Sequence, residues 1–264
     1  MELELFFTIV TYVLAIILGL CIGSFLNVVI YRLPNKMSLA KPSSHCPKCN
    51  YKLKWYDNIP VISYLILGGK CRSCKAKISF RYTVVELLTA LSFGLSVFLF
   101  WNTSIPLALI YMAVSAIFIC VFFIDLEHKI IFDRFQIMLL ALGVTAIFFD
   151  SYGWLSHLLG GAIGFTVFFS VSYIFEKVCG KEGLGGGDVK LVGVVGLLLG
   201  WERLLLSMLV ATIPAVIILL ALSKKDATEE EKQFPFAPFL VVGFFVATFF
   251  GTPVINWYLN LLGI

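Results

Sequence analysis

The chain has 264 residues, 60% of them hydrophobic and 14% charged, with a mean hydropathy of +0.97 and a formal net charge of +4. A soluble globule of this length needs more polar surface, so composition excludes one. The small positive charge comes with no basic motif interleaved with aromatics, and calls for no nucleic-acid partner.

The first predicted element is a transmembrane helix over about residues 5–30. It does not read as a cleaved signal. Glu2 and Glu4 stand where a basic region belongs, the apolar run is too long, and no A-x-A-like site follows. Gly19 and Gly23, four residues apart, predict a second helix in close approach. Asn27 predicts an interhelical hydrogen bond rather than chemistry.

Residues 31–81 form the one sizeable polar segment, with Cys46-x-x-Cys49 and Cys71-x-x-Cys74 separated by residues 50–70. Two such knuckles present four thiolates tetrahedrally, the donor set of a structural zinc site or one for another thiophilic metal. Four cysteine ligands leave no open position, so the metal supplies folding energy rather than catalysis. Disulfides and a redox pair are the competing readings; a reducing cytoplasm disfavours the first. His45 adjoins Cys46 but is surplus to four thiolates, and Cys21, Cys120 and Cys179 read as small apolar residues.

Seven further spans are predicted over about 82–101, 105–124, 135–149, 155–178, 184–200, 204–222 and 236–259. The fold class is therefore an all-α polytopic membrane protein of about eight transmembrane helices. A small zinc-binding loop domain follows the first helix. The sixth span has the least clean apolar run: that part, 191–199, covers about 14 Å, and Lys190 has to snorkel.

Eight crossings put the loops at 31–81, 125–134, 179–188 and 223–235 on one side. With Lys177 and Lys190 they carry 19 of the 20 Lys and Arg, all but Arg203. The positive-inside rule makes that side cytoplasmic and both termini external.

Two carboxylates then share the cytoplasmic boundary. Asp125 follows the third span in FFIDLEHKIIFD, and Asp188 closes GLGGGD, the pattern G-x-G-D. Two spans lie between them, so the chain returns to the same side. Paired carboxylates in a partly dry site share one proton. The ionised one activates water and the protonated one hydrogen-bonds a peptide carbonyl. Gly185, Gly186 and Gly187 then have a use, since glycine permits positive φ and lets an extended substrate strand lie close. The competing reading is structural: Asp125 pairs with Lys129, and Asp188 caps the sixth helix. Spacing and topology leave both readings open, with Glu127, His128 and Asp133 as neighbouring candidates.

Several segments together resemble the type IV prepilin peptidases, bifunctional leader peptidases and N-methyltransferases of the bacterial inner membrane. They are GSFLNVVIYRLP at 23–34, SSHCPKC, WYDNIPVISYLILGGKCRSCKAKIS, RYTVVELLTA, FFIDLEHKIIFD and GLGGGDVKL. The resemblance implies that Asp125 and Asp188 form the catalytic pair. It implies a prepilin or pseudopilin substrate, of a type IV pilus or type II secretion system, with a short basic leader before an apolar helix. Cleavage before that helix is followed by methylation of the new N-terminal residue, often Phe, from S-adenosylmethionine. It divides the chain into a first helix (1–30), a methylation-associated cysteine loop (31–81) and a seven-helix aspartic peptidase core (82–264), with periplasmic termini. Where the family commonly has Pro-Asp, this chain has Phe132-Asp133. The alternatives are a peptidase without methylation, a transporter with cation-binding boundary aspartates, and a scaffold whose zinc loop docks assembly factors. The residues leave oligomeric state undetermined.

Glu86, inside the second span five residues after Arg81, reads equally as a structural partner or as part of methylation. His157 reads as an interfacial residue on the outer side, and the acidic run at 229–232 as a solvated loop.

Overall fold

The structure, a computed structural model, describes residues 2–180, 185–223 and 235–263. The start of the sixth expected span, most of the 223–235 loop with Lys224, Lys225, Lys232 and the acidic run, and the Cys179 side chain lie outside the described residues. Among the described residues there is no strand, only two isolated antiparallel bridges, His45–Lys52 and Lys70–Lys77. The helices are α1 (Glu2–Arg32), α2 (Ile62–Ile66), α3 (Arg81–Phe100), α4 (Ile105–His128), α5 (Asp133–Ala146), α6 (Gly153–Cys179), α7 (Gly186–Leu199), α8 (Trp201–Ser223) and α9 (Ala237–Leu262). A single 3-10 turn, Trp55–Asn58, precedes α2.

Among the described residues, eight helices of 14 or more residues stand where eight spans are expected, but not all are equal. Six of them, α1, α3, α4, α6, α8 and α9, are long and apolar enough to cross a bilayer. The other two, α5 and α7, have 14 residues each, about 21 Å of helix against a hydrocarbon thickness of about 30 Å. Shortness was anticipated for α7. For α5 the cause is the turn at 147–149, which ends the helix at Ala146.

Packing divides the chain into residues 1–120 and 121–264, with α4 contributing to both. The expected three-part division follows membrane crossings instead. In the first unit α1 lies along α3. A β-carbon on Gly19 would stand 2.6 Å from the Ala90 Cα, and one on Gly23 2.7 Å from the Glu86 Cα. The small-residue pair therefore does what its spacing predicts. Asn27 Nδ2 crosses the same seam to the Tyr82 carbonyl at 3.0 Å. Further along, Ala15, Phe93, Val97 and Met112 form a buried apolar cluster. The rest of α1, with Leu5, Phe6, Leu14 and Ile17 among its exposed residues, is apolar and uncovered, as a lipid-facing helix must be.

In the second unit α6 and α7 cross at glycine. A β-carbon on Gly160 would come within 2.3 Å of the Gly196 carbonyl oxygen. The crossing brings polar groups together at the far ends of these helices. Arg203, 2% exposed, donates Nε to the Leu199 carbonyl at 2.6 Å, ion-pairs with Asp150 and stands over the Tyr152 ring at 4.5 Å. His157 corrects the sequence reading: it is fully buried, not interfacial. Its Nδ1 lies 2.9 Å from the Leu197 carbonyl and its Nε2 3.7 Å from Asp150 Oδ2. A buried Asp–Arg pair in this helix set needs further polar neighbours, and His157 is one.

Gly19→Ala is expected to push α1 off α3 and to destabilise the chain by about 1–3 kcal/mol, read as a lower Tm in detergent. Gly94→Ala is the control. Its β-carbon would meet nothing nearer than 3.6 Å, so the Tm should hold or rise.

Candidate active site and metal centre

Each cysteine knuckle is built the same way. The Cys46 N–H donates to the Tyr51 carbonyl at 2.9 Å, and the Asn50 N–H returns to the Cys46 carbonyl at 2.9 Å. The Cys71 N–H donates to the Ala76 carbonyl at 2.8 Å, and the Lys75 N–H to the Cys71 carbonyl at 3.1 Å. Directly after the second cysteine of each, the chain turns through a left-handed residue, Asn50 (φ 56) and Lys75 (φ 57). The bridges His45–Lys52 and Lys70–Lys77 close the two loops.

The four thiols converge. Cys46 and Cys74 Sγ are 3.8 Å apart, Cys49 and Cys71 Sγ 3.9 Å, and all four sulfurs lie within 4.8 Å of one another. Tetrahedral ligation at about 2.3 Å per bond sets sulfurs about 3.8 Å apart, so the donor set fits zinc. His45 is not needed; its Nδ1 lies 3.0 Å from the Ser43 carbonyl. Asp57 ties the intervening chain to the second knuckle, accepting Arg72 Nε at 2.7 Å and the Lys54 N–H at 3.2 Å. Burial pushes the Asp57 carboxyl up, but the Arg72 and Lys54 hydrogen bonds prevail and hold it below the usual carboxylate range.

Asp125 and Asp188 both belong to the second unit, one on the last turns of α4, the other at the third residue of α7. α4 ends three residues after Asp125 because Lys129 takes φ 55, its N–H still bonded to the Asp125 carbonyl at 2.8 Å. Asp125 is 6% exposed, and its carboxylate accepts the backbone N–H of Ala237 at the start of α9. Asp188 lies within coulombic reach of Asp125. Among the described residues, Asp125 Oδ2 and Asp188 Oδ1 are buried with no hydrogen-bond partner.

The structural readings of the pair are each met in part. Lys129 acts on Asp125 as a charge, and Asp188 stands in the first turn of α7, where the helix dipole favours an anion. Of the neighbouring candidates, Glu127 and His128 are exposed at the end of α4, and Asp133 is held by Lys190 Nζ at 3.0 Å on the surface. Lys190 thus reaches a carboxylate as well as the boundary.

The glycines before Asp188 differ from expectation in one respect. None of Gly185, Gly186 and Gly187 has positive φ, because Gly186 and Gly187 already belong to α7 and Gly185 is extended at φ −61, ψ 134. A β-carbon on Gly186 would meet nothing within 4 Å, while one on Gly187 would press on Ile131 at 3.2 Å. Gln136, 5% exposed on α5, donates Nε2 to the Gly187 carbonyl at 3.0 Å and so holds the helix start that carries Asp188. The sequence reading missed Gln136. Its one signal is an amide in an apolar helix, which is weak. Phe132 sits at φ −79, close to the value of about −65° that proline would impose.

Two family models match the chain: the Bacterial Peptidase A24 N-terminal domain over residues 17–101 and the Type IV leader peptidase family over residues 112–220. A curated relative from Pseudomonas aeruginosa, named prepilin leader peptidase/N-methyltransferase, is 35% identical over 94% of this chain and 93% of its own. Relatives of the same name from Stutzerimonas stutzeri and Aeromonas hydrophila are 34% and 32% identical, covering 93% and 94% of this chain and 93% of each relative. No solved structure matches.

Elemental analysis of the purified chain is expected to find a single tightly held zinc ion, and Cys46→Ser and Cys71→Ser to lose it. Because the loop has little core of its own, metal loss should open residues 31–81 to proteolysis while the long helices persist.

Proposed function

The chain belongs to the type IV leader peptidase family, and on that premise we propose that it removes the leader from prepilins or pseudopilins and N-methylates the residue exposed. It is a multi-pass protein of the bacterial inner membrane. The concentration of Lys and Arg in alternate loops supports a cytoplasmic site and periplasmic termini.

The observation that carries the peptidase reading is the pair of buried, unpartnered carboxylate oxygens, Asp125 Oδ2 and Asp188 Oδ1, on neighbouring helix ends. Polar atoms left without partners in a dry site are costly, and catalytic use is a reason to keep them. One proton shared between the two carboxyls divides the labour. The ionised aspartate takes a proton from water, whose oxygen attacks the scissile carbonyl carbon. The protonated aspartate donates to the carbonyl oxygen. When the C–N bond breaks, the leaving nitrogen picks up the proton taken from water, and no covalent intermediate forms. The Ala237 N–H orients Asp125, and Gln136 orients the start of α7. Open space beside Gly186 leaves room for an extended substrate strand.

Cys46, Cys49, Cys71 and Cys74 would hold zinc as a structural ion of the loop. S-adenosylmethionine would supply an electrophilic methyl group to the new amino terminus.

Asp125→Asn and Asp188→Asn are each expected to reduce leader cleavage by about 10²–10⁴-fold without loss of fold, measured on a full-length prepilin by mass spectrometry. Wild-type rates in either would remove that aspartate from the chemistry. The pH–rate profile should be bell-shaped, because full protonation removes the base and full ionisation removes the acid. Gln136→Leu should slow cleavage by about 10–100-fold through misplacement of Asp188.

A further inference from the structure

The seam between α1 and α3, beneath Pro60 and Val61, holds more polar groups than packing explains. Glu86 is 7% exposed, and its Oε2 accepts the Val61 N–H at 2.7 Å, while the Ser24 hydroxyl bonds the same carboxylate. Val61 is held at φ 60, ψ −51, a backbone region that a β-branched residue enters only under strain. Asn27, 2% exposed, uses Nδ2 on the Gly23 and Tyr82 carbonyls, but its Oδ1 is buried without a partner. Thr83, 4% exposed, has its Oγ1 in the same condition. Thr83 and Glu86 are three apart on one face of α3, and Asn27 approaches that helix from α1.

We infer that this seam is an amine site. Asn27 Oδ1 and Thr83 Oγ1 receive the free α-amino group exposed by leader removal, and Glu86 accepts its proton. The inference rests on the methyl-transfer reading above and adds the residues that bind the acceptor. A neutral primary amine has two N–H donors and one lone pair. Two buried acceptors lacking donors match the first, and the lone pair stays free for methyl. The nitrogen lone pair forms the N–C bond. The C–S bond of a sulfonium donor breaks with its electrons going to sulfur. The resulting ammonium gives one proton to the Glu86 carboxylate, which returns it to water. Moving Val61 off Glu86 relieves the strained backbone and uncovers the carboxylate, so opening the seam is partly compensated.

A purely structural role makes the opposite prediction at Thr83. Its hydroxyl has no partner to lose, so Thr83→Val would then be silent. The probes are two synthetic peptides that begin with phenylalanine and continue with apolar residues, one with a free amino terminus and one acetylated. Binding to the full chain in detergent is measured without methyl donor. Wild type is expected to prefer the free amine by about tenfold, the worth of one or two buried hydrogen bonds. Thr83→Val should lose most of that preference and raise the KM for the methyl acceptor by a similar factor. Glu86→Gln, whose amide oxygen still accepts the Val61 N–H, should keep KM and lower kcat for methylation. Leader cleavage and metal content should be unchanged in both. Equal binding of the two peptides by wild type overturns the site, as does an unaltered preference in Thr83→Val. A wild type that prefers the free amine yet never methylates sinks the methyl-transfer reading and leaves the amine site standing.

Discussion

A polar atom without a partner costs a few kcal/mol once water is gone, and in a bilayer water is gone for most of a helix's length. That constraint explains why the described membrane-embedded chain is helical: helices satisfy their own backbone. It also sorts the side chains. Arg203 can be buried because Asp150, the Leu199 carbonyl and the Tyr152 ring surround it. Asn27 can cross the α1–α3 seam because two carbonyls receive its amide. Against this background the few atoms left unsatisfied stand out. Asp125 Oδ2 and Asp188 Oδ1 are among them, and both lie at helix ends.

Helix ends are where such atoms can be placed. α4 stops at Lys129, which turns the chain away and leaves Asp125 on a buried last turn beside the first N–H of α9. α7 begins at glycine, which keeps the approach to Asp188 clear of β-carbons. Gln136 donates to one of its first carbonyls.

The first unit solves a different problem. A loop of about fifty residues cannot build a core of useful size. Two knuckles of like geometry gather four thiolates instead, and Asp57 with Arg72 braces the chain between them. The Glu86–Val61 hydrogen bond then fastens this loop to the membrane helices. One carboxylate inside a span and one strained backbone residue outside it are thus parts of the same contact.

Much of this was written in the order of residues. Apolar runs marked the helices, because the bilayer demands about 20 such residues in a row. CxxC spacing marked the four-thiol cluster, because two thiolates on one knuckle need only local geometry. Gly19 and Gly23 marked a helix contact, because spacing of four defines a helix face. The G-x-G-D and FFIDLEHK segments, taken with the other family motifs, marked the aspartates. What depended on the tertiary structure was which polar groups found partners. Nothing local to His157 says that Asp150 lies beside it, or that Gln136 reaches a carbonyl 51 residues away. Nor does the sequence near Gly185 say that Gly185, Gly186 and Gly187 take no positive φ. Periodicity and motifs are properties of short stretches, and they are legible in a chain. Burial and hydrogen-bond satisfaction are properties of helix pairs, and only packing decides them.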